Sequence, residues 1–97
     1  MTTKIEITLS SANMGDVDEV DFDLWTQFVT DNIDAAVGFE VASVERGQWP
    51  SSAGFDTITG ATEEQRDAIR EWLDVTGWNA FCGDAWTKMR REHDAAA

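Results

Sequence analysis

The chain of 97 residues carries 19 acidic and 7 basic side chains, a formal net charge of −12, and 42% of it is hydrophobic, with five Trp. This length predicts one domain over residues 1–97, and the apolar content excludes a disordered chain. The strong negative charge repels nucleic acid and membrane surfaces, so direct binding to either is not expected.

Alternation of apolar and polar residues predicts a first strand at Ile5 to Leu9, with its odd-numbered residues facing the core. After a loop, apolar residues at steps of three and four predict a helix near Asp21 to Val37. Its apolar stripe comprises Phe22, Trp25, Val29, Ile33 and Ala36. Asp18 or Asp21 can cap the start of this helix, and Gly38 supplies a left-handed stop. A second strand is expected at Phe39 to Glu45.

The turn-rich segment from Gly47 to Gly54 leads to a short third strand at Phe55 to Thr59, expected to pair antiparallel with the second strand. The tetrapeptide TEEQ from Thr62 to Gln65 is a capping box, which predicts a second helix that Gly77 ends. The segment from Trp78 to Cys82 fits either a fourth strand or a helical turn. A final helix is expected from Asp84 to His93, followed by a frayed end. Its predicted inward face comprises Ala85, Trp86 and Met89.

This order of elements predicts an α+β fold, with a small antiparallel or mixed sheet of three to four strands and helices on one face. A ferredoxin-like split arrangement is one version of such a fold. Trp25, Trp72 and Trp86 lie on predicted core stripes. Trp49 differs because it precedes Pro50 in a loop, where its ring can either anchor a partner or fold back over the sheet edge.

No catalytic, metal or cofactor site is predicted. A calcium loop that begins at Asp16 would need an oxygen ligand, Gly and Glu where the sequence has Val20, Asp21 and Gln27. One His and one Cys are too few for zinc, and Cys82 is expected to be a buried apolar side chain. An enzyme using clustered carboxylates would need a pocket with shifted pKa values. The sequence also has no membrane-spanning run or secretory signal pattern, which predicts a soluble, cytoplasmic protein.

The acidic residues are unevenly distributed, with ten of them and no Lys or Arg between Ile5 and Glu45. In the second helix, acidic and basic residues alternate at three- and four-residue spacing, which favours ion pairs. The outer face of the first helix is expected to have no cation that compensates it, and it comprises Asp23, Gln27, Thr30, Asp31 and Asp34. Asp31 and Asp34 also oppose the helix dipole, at a cost of about 0.3 to 1 kcal/mol each. Folding alone therefore does not explain this face.

Three explanations of the acidic face remain open. Acidic surfaces are general in halophiles, and this chain has only two Lys. The face could instead occupy a basic groove on a partner and block access to it. It could also meet the basic cluster from Lys88 to Arg91, either in a second copy or within its own chain. A 17-residue helix is about 25 Å long, a length over which duplex DNA carries about 15 phosphates, so four Asp make at most a partial mimic.

Small size, strong acidity and the segment GDVDEVDFDLW leading into an uncompensated helix resemble the small phage-encoded inhibitors of host defence, including anti-CRISPR and anti-restriction proteins. The resemblance covers size, charge and organisation over the whole chain and includes no diagnostic motif. It implies that the protein binds a basic surface of a host protein, such as a CRISPR effector or another nuclease complex, in the cytoplasm of the host cell. It further implies that target DNA can then no longer bind this complex.

The predicted function is therefore a non-enzymatic, acidic inhibitor that acts as a monomer or homodimer. The predicted partner-binding residues are Asp16, Asp18, Glu19, Asp21, Asp23, Gln27, Asp31, Asp34 and Trp49. The alternative is a self-assembling or accessory structural protein of a phage, joined through apolar patches and the basic cluster from Lys88 to Arg91.

Overall fold

The alternating segment near the start of the chain forms strand β1 (Glu6–Leu9), which lies at the centre of the sheet. A computed structural model describes residues 4–14, 18–50 and 54–96, and within these the sheet has three strands in the order β2-β1-β3. β2 (Ser43–Arg46) is parallel to β1, and β3 (Thr57–Thr59) is antiparallel to it. The predicted α+β class with a small mixed sheet is confirmed.

The prediction that the third strand pairs with the second is wrong. β3 pairs with β1, in a register that places Ile58 opposite Ile7. The ten residues between β2 and β3 can span more than 30 Å, whereas crossing two strand spacings needs about 10 Å. The connection is therefore long enough to pass β1, whose inward residues are the most apolar of the three strands. The strands joined by the first helix are direct neighbours, without the intervening strand of a split arrangement.

Helix α1 (Glu19–Val37) begins and ends where local sequence signals place it. The backbone N–H of Asp21 donates to Asp18 Oδ1 at 2.8 Å, so Asp18 is the cap. Gly38 adopts the left-handed conformation, with φ of 82°, and its N–H donates to Asp34 O. Residues buried on α1 are Phe22, Leu24, Trp25, Val29 and Ile33. Ala36 is exposed, so the buried stripe ends one turn earlier than predicted.

The second half of the chain is helical in two runs, which meet at a kink. After the capping box, in which Thr62 and Gln65 exchange hydrogen bonds of 3.0 and 3.2 Å, it runs from residue 63 to residue 96. Its parts are α2 (Glu63–Glu71), a π-helical segment (Trp72–Thr76), α3 (Gly77–Ala80), a kinked segment (Phe81–Ala85) and α4 (Trp86–Ala96). The open question over residues 78–82 is settled in favour of helix.

Gly77 does not end a helix, contrary to the prediction. Its φ of −67° and ψ of −41° are helical, and a Cβ built on it would lie 2.6 Å from the indole ring of Trp72. Gly77 is therefore present because the Trp72 ring packs directly on the helix backbone. The break lies at Gly83, whose ψ of −125° kinks the chain.

Two predictions of burial, in the last helix and just before it, are wrong. Trp86 is 37% exposed instead of facing inward, and Cys82 is exposed instead of buried. Partial desolvation nevertheless raises the pKa of the Cys82 thiol, which disfavours the reactive thiolate. Ala95 and Ala96 lie within α4, where the sequence predicted a frayed end. Ala85 and Met89 are half-buried, and Met89 packs against the core, so the predicted inward face holds apart from Trp86.

The core lies between one face of the sheet and the helices. Ile7 and Leu9 are 1% exposed, and Trp25 is surrounded by other aromatic rings. Ring centroids within 5.2 to 6.2 Å of Trp25 belong to Phe28, Trp72, Trp78 and Phe81. The other face of the sheet is open, and its residues are polar: Glu6, Thr8, Ser43, Glu45, Thr57 and Thr59. The helices thus cover one face, as predicted.

Replacing Gly77 with Ala should destabilise the protein by about 1 to 3 kcal/mol, because the new methyl group overlaps the Trp72 ring. At an open helical site the same change stabilises by about 1 kcal/mol, so the sign of the effect is diagnostic. Urea unfolding measures it. Gly54→Ala, where nothing lies within 4 Å of the new Cβ, is the control. In a Trp72→Leu background the penalty should disappear, and its persistence would contradict the packing described.

Candidate protein-binding surface

The first turn of α1 is compensated by a cation from the far end of the chain. Arg90 Nη1 donates to Asp18 Oδ2 at 3.1 Å and to Asp21 Oδ1 at 2.9 Å, and Trp86 Nε1 donates to the same Asp21 oxygen at 2.8 Å. We call these four residues the Arg90 clamp. Arg90 of the basic cluster thus meets the first turn of α1 within the chain, and not the outer face of Asp23, Asp31 and Asp34 that the third explanation named.

The charges of the clamp influence each other's ionisation. The pKa of Asp18 is lowered, first by the hydrogen bond from the Asp21 backbone N–H and then by Arg90. The pKa of Arg90 is raised by its hydrogen bonds to Asp18 and Asp21. Both shifts favour the charged forms, so the clamp is an ionic contact over the ordinary pH range.

A second cation, Arg46 at the end of β2, compensates the next acidic residues of α1. Its Nη1 lies 3.1 Å from Asp23 Oδ1, and its Nη2 lies 3.7 Å from Glu19 Oε1. The guanidinium carbon lies 5.7 Å from the centre of the Phe22 ring. The expectation that no cation meets Asp23 is therefore wrong. The strand β2, which follows α1 in the sequence, places Arg46 beside the first turns of α1.

Asp34 also has a role within the fold. Its Oδ1 accepts a hydrogen bond of 3.1 Å from the backbone N–H of Val41, beyond the turn at Gly38. The side chain holds the segment that leads into β2, which offsets its unfavourable position near the negative end of the helix dipole. Folding thus gains from Asp34, contrary to the expectation.

Gln27 and Asp31 are exposed and make no hydrogen bond or ion pair with any described residue. With Asp23 and Asp34 they fall within about 100° of arc on α1, and we call these four residues the outer stripe. Asp31 is the carboxylate of this stripe that folding does not use. Asp16 lies outside the described residues.

Trp49 folds back onto the protein. Its ring is half-buried, with its centroid 6.0 Å from that of Phe22. Of the two alternatives for this side chain, the geometry matches the packed one.

In the second helix, the ion pairs that its sequence spacing favours do not form. Across the part of the chain that the structure describes, no ion pair within 4.0 Å joins Arg66 to Glu63, or Arg70 to Asp67 or Asp74. Helix α1, which was predicted to lack nearby cations, thus forms ion pairs with Arg46 and Arg90. In α2, which was predicted to contain ion pairs, Arg66 and Arg70 form none with the described residues.

An exposed aromatic residue was missed by the sequence reasoning. Phe55 is 82% exposed and borders a hollow of about 280 Å³, together with Asp56, Arg70 and Asp74. Phe55 lies outside β3, so strand alternation gives no signal for the direction of its side chain. Among the described residues, Val75 is the next most exposed large apolar side chain, at 51%.

No protein-family model, curated protein or solved structure matches this chain significantly. Across residues 4–14, 18–50 and 54–96, no three His, Cys, Asp or Glu side chains converge in a way that could hold a metal ion. None of the described helices combines the length and apolar character needed to cross a bilayer. The functional inference therefore rests on the charges and surfaces above.

Replacing Arg90 with Gln should loosen α4, because this helix has no fully buried side chain and the Arg90 clamp joins it to α1. Backbone amide exchange measured by NMR should accelerate across residues 86–96 with less change in β1. Arg91→Gln removes an exposed charge without a described partner and is the matched control. Equal exchange in the two variants would show that the clamp does not hold α4.

The stability contributed by the Asp18 charge should depend on pH. Because the folded-state pKa is lowered, this contribution is complete above the ordinary value of 3.8 and is lost as the pH falls through the folded-state pKa below it. Asp18→Asn retains an oxygen cap without the charge. The difference in thermal midpoint between the wild type and Asp18→Asn should therefore shrink below pH 4. A difference that stays constant with pH would contradict the ionic role, and Asp31→Asn is the control.

Proposed function

We propose that this protein acts by binding, as a small acidic inhibitor that occupies a basic, nucleic-acid-handling surface of a partner. The observation that carries the proposal is Asp31, which is exposed at the middle of the outer stripe and meets no cation among the described residues. In a chain with net charge −12, this carboxylate is available to a partner without breaking an internal contact. A CRISPR effector or another nuclease complex is the class of partner that the resemblance in size and charge favours.

The proposed mechanism is electrostatic attraction followed by steric blocking. The excess negative charge steers the protein towards basic surfaces and raises the rate of encounter at low salt. The outer stripe spans about 16 Å, over which duplex DNA carries about 10 phosphates. Its three Asp, two of them engaged within the fold, cannot reproduce that density. The protein therefore covers a few Arg or Lys side chains and keeps DNA away by its bulk.

Self-assembly is the alternative function. In that alternative, the basic cluster from Lys88 to Arg91 forms part of the contact between copies. Arg90 of that cluster is engaged by Asp18 and Asp21 of the same chain. A contact between copies through Arg90 would have to break the Arg90 clamp. Light scattering at rising salt distinguishes the two functions, since an assembly of copies changes mass and a monomeric inhibitor does not.

Charge reversal at Asp31 should weaken partner binding by about tenfold or more at low salt while the fold is retained. The helix should even gain slightly in stability, because Lys is better tolerated than Asp towards the C-terminal end of a helix. The wild-type protein and the Asp31→Lys variant, used as baits on a lysate, identify the partner by mass spectrometry. The binding of DNA to this partner is then measured while the wild-type protein or the variant is added in increasing amounts.

Glu64→Lys is the matched control, since it makes the same change of charge at an exposed site in α2, away from the outer stripe. If acidity were only a general halophile trait, the two variants would behave alike. Binding that does not depend on salt, or that Asp31→Lys leaves unchanged, would contradict the proposal.

A further inference from the structure

A cavity of about 150 Å³ lies between α1 and the π-helical segment, away from the outer stripe. One water molecule needs about 15 Å³ of such a volume, so the cavity has room for an organic group of several atoms. Its lining combines apolar walls with polar groups, and the main residues are Trp25, Leu73, Trp78, Ser10, Asp56 and Asp74. Aromatic rings and carboxylates thus face the same space.

The two indoles form a corner of the cavity. The ring centroids of Trp25 and Trp78 are 5.2 Å apart, and their planes meet at 89°. Trp25 is almost fully buried and contacts four other rings, so its orientation is held by the core. The face of an indole carries partial negative charge and attracts organic cations, most strongly where water is displaced.

Two carboxylates complete the site. Asp56 is oriented by the backbone N–H of Ser10, which donates to its Oδ1 at 2.7 Å. Asp74 is exposed and makes no hydrogen bond or ion pair with a described residue. It is presented by the π-helical segment Trp72–Thr76, whose wider turn also directs Leu73 to the cavity. Such π-helical turns occur frequently at functional sites.

Arg70 is a cation of the chain itself beside this site. It borders the adjoining hollow, which shares Asp56 and Asp74 with the cavity, yet it forms no ion pair within 4.0 Å with Asp74. Asp74 is therefore available to a further positive charge at the cavity.

We propose that this cavity binds an organic cation, an alkylammonium or guanidinium group whose head meets Asp56 and Asp74 and whose alkyl stem lies against Trp25 and Trp78. The source of the group is either a Lys or Arg side chain of a partner or a free quaternary amine. This inference goes beyond the proposed function and does not depend on the outer stripe.

The first test compares choline with its neutral isostere 3,3-dimethyl-1-butanol, by NMR of the indole N–H signals of the full chain. Choline should shift the signals of Trp25 and Trp78 in a saturable manner, with smaller changes at Trp49 and Trp86, and the neutral isostere should not. Equal binding of the two compounds would show an apolar cavity without preference for charge. No saturable binding of choline or of the side-chain amides described below would also overturn the proposal.

Variants locate the site. Asp74→Asn and Trp78→Leu should each weaken binding by roughly 3- to 30-fold, whereas Glu64→Gln, which removes an exposed carboxylate elsewhere in α2, should leave it unchanged. Asp74 is exposed, so its variant tests the site even if Trp78→Leu unfolds. Arg70→Gln should strengthen binding by about two- to fivefold, because it removes a competing positive charge. Weaker binding in Arg70→Gln, or unchanged binding in Asp74→Asn, would contradict a cation site.

The same titration with the Nα-acetyl methylamides of lysine and arginine identifies the source of the cation. Tighter binding of these amides than of choline supports a side chain of a partner. The reverse order supports a free quaternary amine.

Discussion

The ring of Trp25 lies between α1 and the C-terminal helical segment, 5.2 to 6.2 Å from the rings of Phe28, Trp72, Trp78 and Phe81. With one face of a small sheet covered and the other open, the core depends on such large side chains to fill the space between helices. Their close packing also restricts which residues fit beside them. Gly77 is required under the Trp72 ring, and a π-helical turn places Leu73 and Asp74. The constraint that holds the fold together thus also shapes the cavity beside it.

Electrostatics in this protein work over long distances along the chain. The acidic start of α1 is favourable to the helix dipole, and Arg46 and Arg90 reach it from β2 and α4. Exposed ion pairs contribute little individually, but Arg90 contacts two carboxylates and lies beside Trp86. The acidic residues therefore divide into those that join elements, such as Asp18 and Asp23, and those that remain available, such as Asp31. A count of charges along the sequence does not make this distinction.

Local signals were predicted well from the sequence. The alternation in β1, the capping box at Thr62 and the left-handed Gly38 each depend on residues a few positions apart, and the structure confirms all three. The pairing of β3 with β1 was missed because it depends on competition between distant strands. For the candidate site, the exposure of Gln27 and Asp31 followed from helix periodicity, whereas the contacts of Asp21 with residues 65 and 69 positions away have no local signal. The role of Gly77 was predicted wrongly, because the sequence alone does not distinguish a glycine that makes room for an aromatic ring from one that ends a helix.

The separation of 72 positions between Asp18 and Arg90 also bears on how the protein is made. Synthesis proceeds from the N-terminus at about 5 to 20 residues per second, so for several seconds the acidic start of α1 exists without Arg90. During that interval the nascent chain carries its highest density of unpaired negative charge, which opposes premature collapse and contact with other acidic chains. During synthesis, α4 can dock onto α1 only after the 72 residues that separate Asp18 from Arg90 have been added.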